Sequence, residues 1–240
     1  MNARFTHPPE RYRAESAPFP RWLIAALPLG LAIITSLAAN FAPAIYETWL
    51  QDERTGLLEF IHFLFPALVA LIAISMLMTP LVRGDPLKLV WVIAMVLGGV
   101  YLAGEEASWG QHWFGWGTPE GWQAVNDQQE TNLHNTSHLL DQLPRAILRA
   151  GIMVTGLVVP WLLLNRPGVL PARFDFFYPP LATWPLAALV LAMEPVFQFK
   201  EAIRWSDWAN IRPGEIDELF IVSFLLLYAI VLRRRARSRG

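Results

Sequence analysis

Six predominantly apolar blocks constrain this chain more than any other feature. They cover residues 22–39, 57–78, 87–104, 146–164, 181–199 and 216–232. Each is near the roughly 20 residues a helix needs to cross a bilayer. In hydrocarbon the backbone must satisfy its own hydrogen bonds, so the blocks read as helices. The spacing predicts an all-α integral membrane protein. Its six-helix transmembrane bundle spans 22–232, between a basic arm (1–21) and a basic tail (233–240). Pro28, Pro66 and Pro160 fall inside blocks and predict kinks. The first block is longer than the apolar core of a signal peptide, about 7–15 residues, and follows a long polar arm, so it reads as a retained span.

Composition narrows the chemistry. Apolar residues make up 54% of the 240 and charged residues 16%, which excludes a disordered chain. There is no cysteine, so disulfides, thiolate metal sites, iron–sulfur clusters and a cysteine nucleophile are excluded. A net charge of −1 carries no nucleic-acid signature.

The basic residues set an orientation. Four arginines lie in the first arm (Arg4, Arg11, Arg13, Arg21) and five in the tail (Arg233, Arg234, Arg235, Arg237, Arg239). Arg83, Lys88, Arg166 and Arg173 join them on that side, making thirteen of the nineteen basic residues. The positive-inside rule makes this side cytoplasmic, which predicts a multi-pass protein of the cell (inner) membrane with both termini cytoplasmic. Sixteen of the twenty acids fall on the opposite, outer side, and tryptophans form a belt at each face with the outer one heavier.

Ionisable groups inside spans are costly and point to function. Here they gather at the outer ends. Glu59 and His62 open the second span and share a helix face. Glu105 and Glu106 close the third, Glu194 lies near the end of the fifth, and Glu215, Asp217 and Glu218 open the sixth. Glu-x-x-His recurs in di-iron carboxylate bundles, where it occurs twice; a second copy is absent. If the third helix continues past its acids, Glu105 and His112 lie two turns apart on one face.

The longest polar stretch, an outer loop over 105–145, contains an expected amphipathic helix at about 123–143, ended by Pro144. On a helical wheel Gln123, Asp127, Glu130, His134, His138 and Asp141 fall on one narrow stripe opposite a leucine face. Glu130-x-x-x-His134-x-x-x-His138 has the spacing of metal ligands, with Asn126, Gln129, Asn132 and Asn135 as hydrogen-bond partners behind them. A helix lying on anionic lipid would carry Lys and Arg, and this stretch has neither before Arg145. The plain amphipathic helix and a proton relay remain open readings.

Glu105-Glu106-x-Ser108-Trp109-Gly110-Gln111, followed by Asn126-x-Gln128-x-Glu130-x-Asn132-Leu133-His134-Asn135, resembles a motif pair of uncharacterised bacterial multi-pass membrane proteins. The resemblance covers about 30 residues and implies a membrane location and no reaction.

Three functions follow as expectations. The first is a metal-dependent hydrolase or transferase at the outer leaflet, acting on a lipid or lipid-linked substrate. Its divalent ion (zinc, iron or manganese) would be held by Glu105, His112, Glu130, His134 and His138, with Glu106, His62 and Glu59 as catalytic acid/base groups. The second is a cation or proton translocator using the same groups. The third is a scaffold or assembly subunit that docks membrane-protein partners on its acidic face.

Overall fold

The computed structural model describes residues 21–52, 56–126, 130–133, 136–166, 168–200, 202, 204 and 213–238. Among them every regular element is helical, and five helical segments are long and apolar enough to cross a membrane. We label the main helices α1 (Arg21–Phe41), α2 (Leu57–Met76), α3 (Pro86–Glu106), α4 (His138–Met153), α5 (Val159–Asn165), α6 (Trp184–Ala192), α7 (Glu194–Phe199) and α8 (Pro213–Ser238). The π-helical turn Val154–Val158 joins α4 to α5, so the fourth apolar block becomes one span, Gln142–Asn165. The fifth is broken at Met193 between α6 and α7, ahead of Pro195.

The sixth block forms α8, which does not reach the same apolar length. Its uncharged stretch, 219–232, lies between Glu218 and Arg233 and is shorter than a full span of roughly 20 residues. The expected basic tail continues α8 to Ser238. Arg235, buried within it, donates to the carbonyls of Asp175, Phe176 and Tyr178 at 3.1, 3.0 and 2.6 Å. Of the basic arm, 1–21, residues 1–20 lie outside the described residues, and Arg21 opens α1.

Close backbone approach sets the α2–α3 pair. A Cβ added to Gly99 would sit 2.7 Å from the Pro66 carbonyl oxygen and 2.9 Å from the Ala70 nitrogen. Only glycine admits that contact, the small-residue packing typical of helices in lipid. The Asp85 carboxylate caps α3, accepting from Leu87 N and Lys88 N, and pairs with Lys88 Nζ at 2.7 Å. α2 also packs along α8, and α8 packs on α6 and α4.

The amphipathic helix expected over 123–143 is not one helix. A single turn, Glu120–Gln123, is followed by a turn through Asn126; residues 130–133 are irregular, and α4 begins at His138 and runs through Pro144. The backbone explains why. Glu130 N donates to Asn126 Oδ1 at 3.0 Å, Thr131 N to Gln111 Oε1 at 2.8 Å and Leu133 N to Glu105 Oε2 at 2.7 Å. Three amides a helix would send to carbonyls four residues back go to side chains instead. Glu130 therefore lies outside any helix, and His134 and the His138 side chain lie outside the described residues.

Candidate functional site

Both ends of the 105–133 segment are held by one buried network. α3 stops at Glu106, and Ser108 and Trp109 take positive φ (43° and 55°), a conformation that side chains adopt only when held there. The Trp109 indole N–H donates to Glu105 Oε1 at 2.8 Å, and its ring lies where a Cβ on Gly104 would come within 2.8 Å. The reversal turns Ser108 inward, fully buried. Its hydroxyl donates to Glu130 Oε2 at 2.7 Å, and His112 Nε2 lies 2.8 Å from Glu130 Oε1 and 3.0 Å from Ser108 Oγ. Asn132 Nδ2 donates to both Glu130 Oε2 (2.6 Å) and Ser108 Oγ (2.9 Å), while Asn126 Nδ2 donates to Asn132 Oδ1 (2.8 Å). The helix expected to carry Glu105 and His112 on one face is therefore broken, yet His112 still folds back onto Glu130.

Ser108, His112 and Glu130 are not a nucleophilic triad. One imidazole nitrogen meets both the hydroxyl and the carboxylate, and the hydroxyl proton already points at Glu130. A relay needs the base between nucleophile and acid, using both ring nitrogens. The network is a lock. Burial pushes the Glu130 carboxyl up, but hydrogen bonds from His112, Ser108 and Asn132 outweigh it and hold it below the ordinary glutamate range. Phe63 of α2 adds a ring contact to Trp113, centroids 4.5 Å apart, which ties the segment down beside His62.

Beneath the lock lies a cavity of about 480 Å³, walled by α2, α3, α4, α7 and α8. Glu59, His62, Glu106, Glu215 and Glu218 converge on it. Two triplets have ligand atoms all within 4.8 Å of one another: Glu59, His62 and Glu106, and His62, Glu215 and Glu218. His62 is common to both. It is 1% exposed, neither ring nitrogen has a hydrogen-bond partner among the described residues, and its Nδ1 lies 3.6 Å from Glu215 Oε2 and 3.7 Å from Glu218 Oε2. Arg145 of α4 pairs with Glu218. Farther along α4, Arg149 answers the remaining acids, meeting Glu194 Oε1 at 2.6 Å and Asp217 Oδ2 at 3.4 Å.

Electrostatics define what such a site can do. At the 4.8 Å limit, two ionised carboxylates repel by roughly 3 kcal/mol at an effective dielectric near 20. Four carboxylates outnumber the two cations that line the cavity, Arg145 and Lys200, and call for protons or a further cation. An imidazole with oxygen donors from three helices has the ligand types of a manganese, iron or zinc centre.

Glu59, His62 and Glu106, expected as acid/base groups, thus converge with ligand-like spacing. Glu105, His112 and Glu130, expected as ligands, line the same cavity but are engaged in the lock. Glu194 pairs with Arg149 and does not line the cavity. Asp127, Gln129, His134 and Asn135 lie outside the described residues, as do the side chains of His138 and Asp141. Asn126 and Asn132, expected behind metal ligands, hydrogen-bond within the lock, Asn132 to Glu130 and Asn126 to Asn132. Glu215 and Glu218 were not foreseen as site residues. Their signal is Glu-x-x-Glu opening the last apolar block, a counterpart of Glu59-x-x-His62 with glutamate in place of histidine. No protein-family model, curated protein or solved structure matches the chain.

Proposed function

We propose that this protein is a polytopic enzyme of the inner membrane, both termini cytoplasmic, with a divalent-metal centre at the outer ends of its helices. His62, Glu59, Glu106, Glu215 and Glu218 supply the ligands, and a carboxylate not engaged by the ion serves as general base. A bound zinc, manganese or iron ion would supply a water acidified toward neutral pH and would polarise the group under attack. The reaction class is hydrolysis or group transfer on a lipid-linked ester, amide or phosphate. The observation that carries this reading is His62, a buried imidazole without a hydrogen-bond partner among the described residues, set among four carboxylates. A buried polar group left unpaired costs about 1–3 kcal/mol, and a metal ion would remove that penalty and the carboxylate repulsion together.

Translocation fits less well. One turn past the ligands, toward the middle of the bundle, the cavity wall carries Pro66, Leu102, Ile221 and Val222, and among the described residues no carboxylate or histidine lines it at that depth. The test is metal analysis of detergent-purified protein. Wild type should hold at least one transition-metal ion per chain. His62→Ala should lose it, and Glu215→Gln and Glu218→Gln should weaken it. Metal-free wild type that gains no affinity on titration with zinc, manganese or iron would refute the reading.

A further inference from the structure

The cavity changes character sharply with depth. His62, Glu106, Glu218 and Arg145 form its polar end. One turn toward the middle of the bundle, the same four helices present Pro66, Leu102, Val222 and Leu148 to it. Four residues of helix rise about 6 Å, so a polar ring and an apolar ring lie about one helical turn apart. A site for a small soluble molecule has no need of the second ring.

The walls are also unequal. α3 packs along α2, α2 along α8, and α8 and α6 against α4. Between α3 and α4 there is no comparable packing among the described residues. Tyr101 and Leu102 on one side and Leu148 on the other face the cavity across that gap, all of them partly exposed. Tyr101, Leu102 and Leu148 lie within segments apolar enough to be in the membrane. A side opening at that depth communicates with acyl chains.

We infer that the cavity admits a phosphate-bearing lipid sideways between α3 and α4, its chain lying on the apolar ring and its phosphate at the polar ring beside Arg145 and Lys200. The inference rests on the metal-centre reading and names its substrate class. The phosphate is favoured because these two cations line a wall otherwise rich in carboxylates, and because phosphate oxygens are natural partners of a bound divalent ion. Two sources share this chemistry, a glycerophospholipid and an isoprenyl phosphate.

Native mass spectrometry of metal-loaded protein, with metal content measured in parallel, separates the alternatives. The probes are phosphatidylglycerol, undecaprenyl phosphate and glycerol phosphate. One chain-bearing probe should bind one per protein, and the one that binds identifies the source. Glycerol phosphate should bind at least 100-fold more weakly. Leu102→Trp and Leu148→Trp, which fill the gap from opposite walls, should each reduce lipid occupancy at least tenfold with metal content unchanged. Leu97→Trp, on the exposed lipid side of α3, should change neither. If glycerol phosphate binds wild type as tightly as the lipids, or neither lipid binds, or both gap variants keep full lipid occupancy, the inference is overturned. Loss of metal from wild type would instead strike the metal-centre reading, so the two failures are distinguishable.

Discussion

Gly99→Leu should damage the protein far more than Gly98→Leu, although the two changes are chemically identical and adjacent. Gly98 faces open space, with nothing within 4 Å of an added Cβ. Leucine there meets lipid and gains helix propensity, up to about 1 kcal/mol. At Gly99 even the first added carbon would lie 2.7 Å from the Pro66 carbonyl, where ordinary contacts begin at 3.4 Å. α2 and α3 must then part by at least the difference, and the rest of the side chain pushes them farther. Overpacking of this kind costs about 1–3 kcal/mol, and backbone cannot yield as a side-chain tip can. The expected gap between the variants is about 3 kcal/mol, roughly 100-fold in the unfolding equilibrium. The same movement reaches the site, because Pro66 lies one turn from His62 and Gly99 two turns from Glu106. Metal–ligand distances tolerate only about 0.2 Å, so Gly99→Leu should also weaken metal binding at least tenfold. Reversible unfolding in mixed detergent micelles, run beside a metal titration, measures both. Equal stability and equal metal affinity of the two variants would refute the packing argument.

The lock makes a pH prediction. Glu130 has its carboxyl held below the ordinary range, so its contribution is fully present above the unfolded glutamate value and is lost as pH falls through the lower folded one. Trp109 fluorescence, read with the other tryptophans replaced by phenylalanine, should hold steady through the usual carboxylate range and change only in stronger acid; Glu130→Gln should remove that step, and an unchanged profile would count against the lock. Arg145→Gln should raise metal affinity several-fold, because Arg145 competes with an ion for Glu218; a fall in affinity on calorimetric titration would contradict that role. A cysteine introduced at Ser137 should be labelled by an impermeant reagent from outside intact cells, and labelling only after inner access would reverse the orientation.

What could be read from the chain divides along physical lines. The spans were legible because hydrocarbon leaves the backbone little choice, and the apolar blocks mark five of them within about four residues. The gathering of acids at one end was legible for the same reason: charges survive in spans only near an end or in a shared cavity. Residues 123–143 misled, because a helical wheel assumes the helix it is meant to test. Glu105, Gln111 and Asn126 take the amides of Leu133, Thr131 and Glu130, and no periodicity announces side chains that outbid the backbone from 28, 20 and 4 residues away. Glu215 and Glu218 were visible as acids, but their meeting with His62 depends on how α8 lies against α2, a choice made by packing.

The position of a bound ion decides between a centre on His62 and one on the lock. Crystals of metal-loaded protein, measured at the absorption edge of the bound metal, would give an anomalous peak. The peak is expected about 2.0–2.2 Å from a His62 ring nitrogen, with two or more of the Glu59, Glu106, Glu215 and Glu218 carboxylates in the same shell. A peak instead on His112 and Glu130, with His62 outside bonding distance, would contradict the centre on His62.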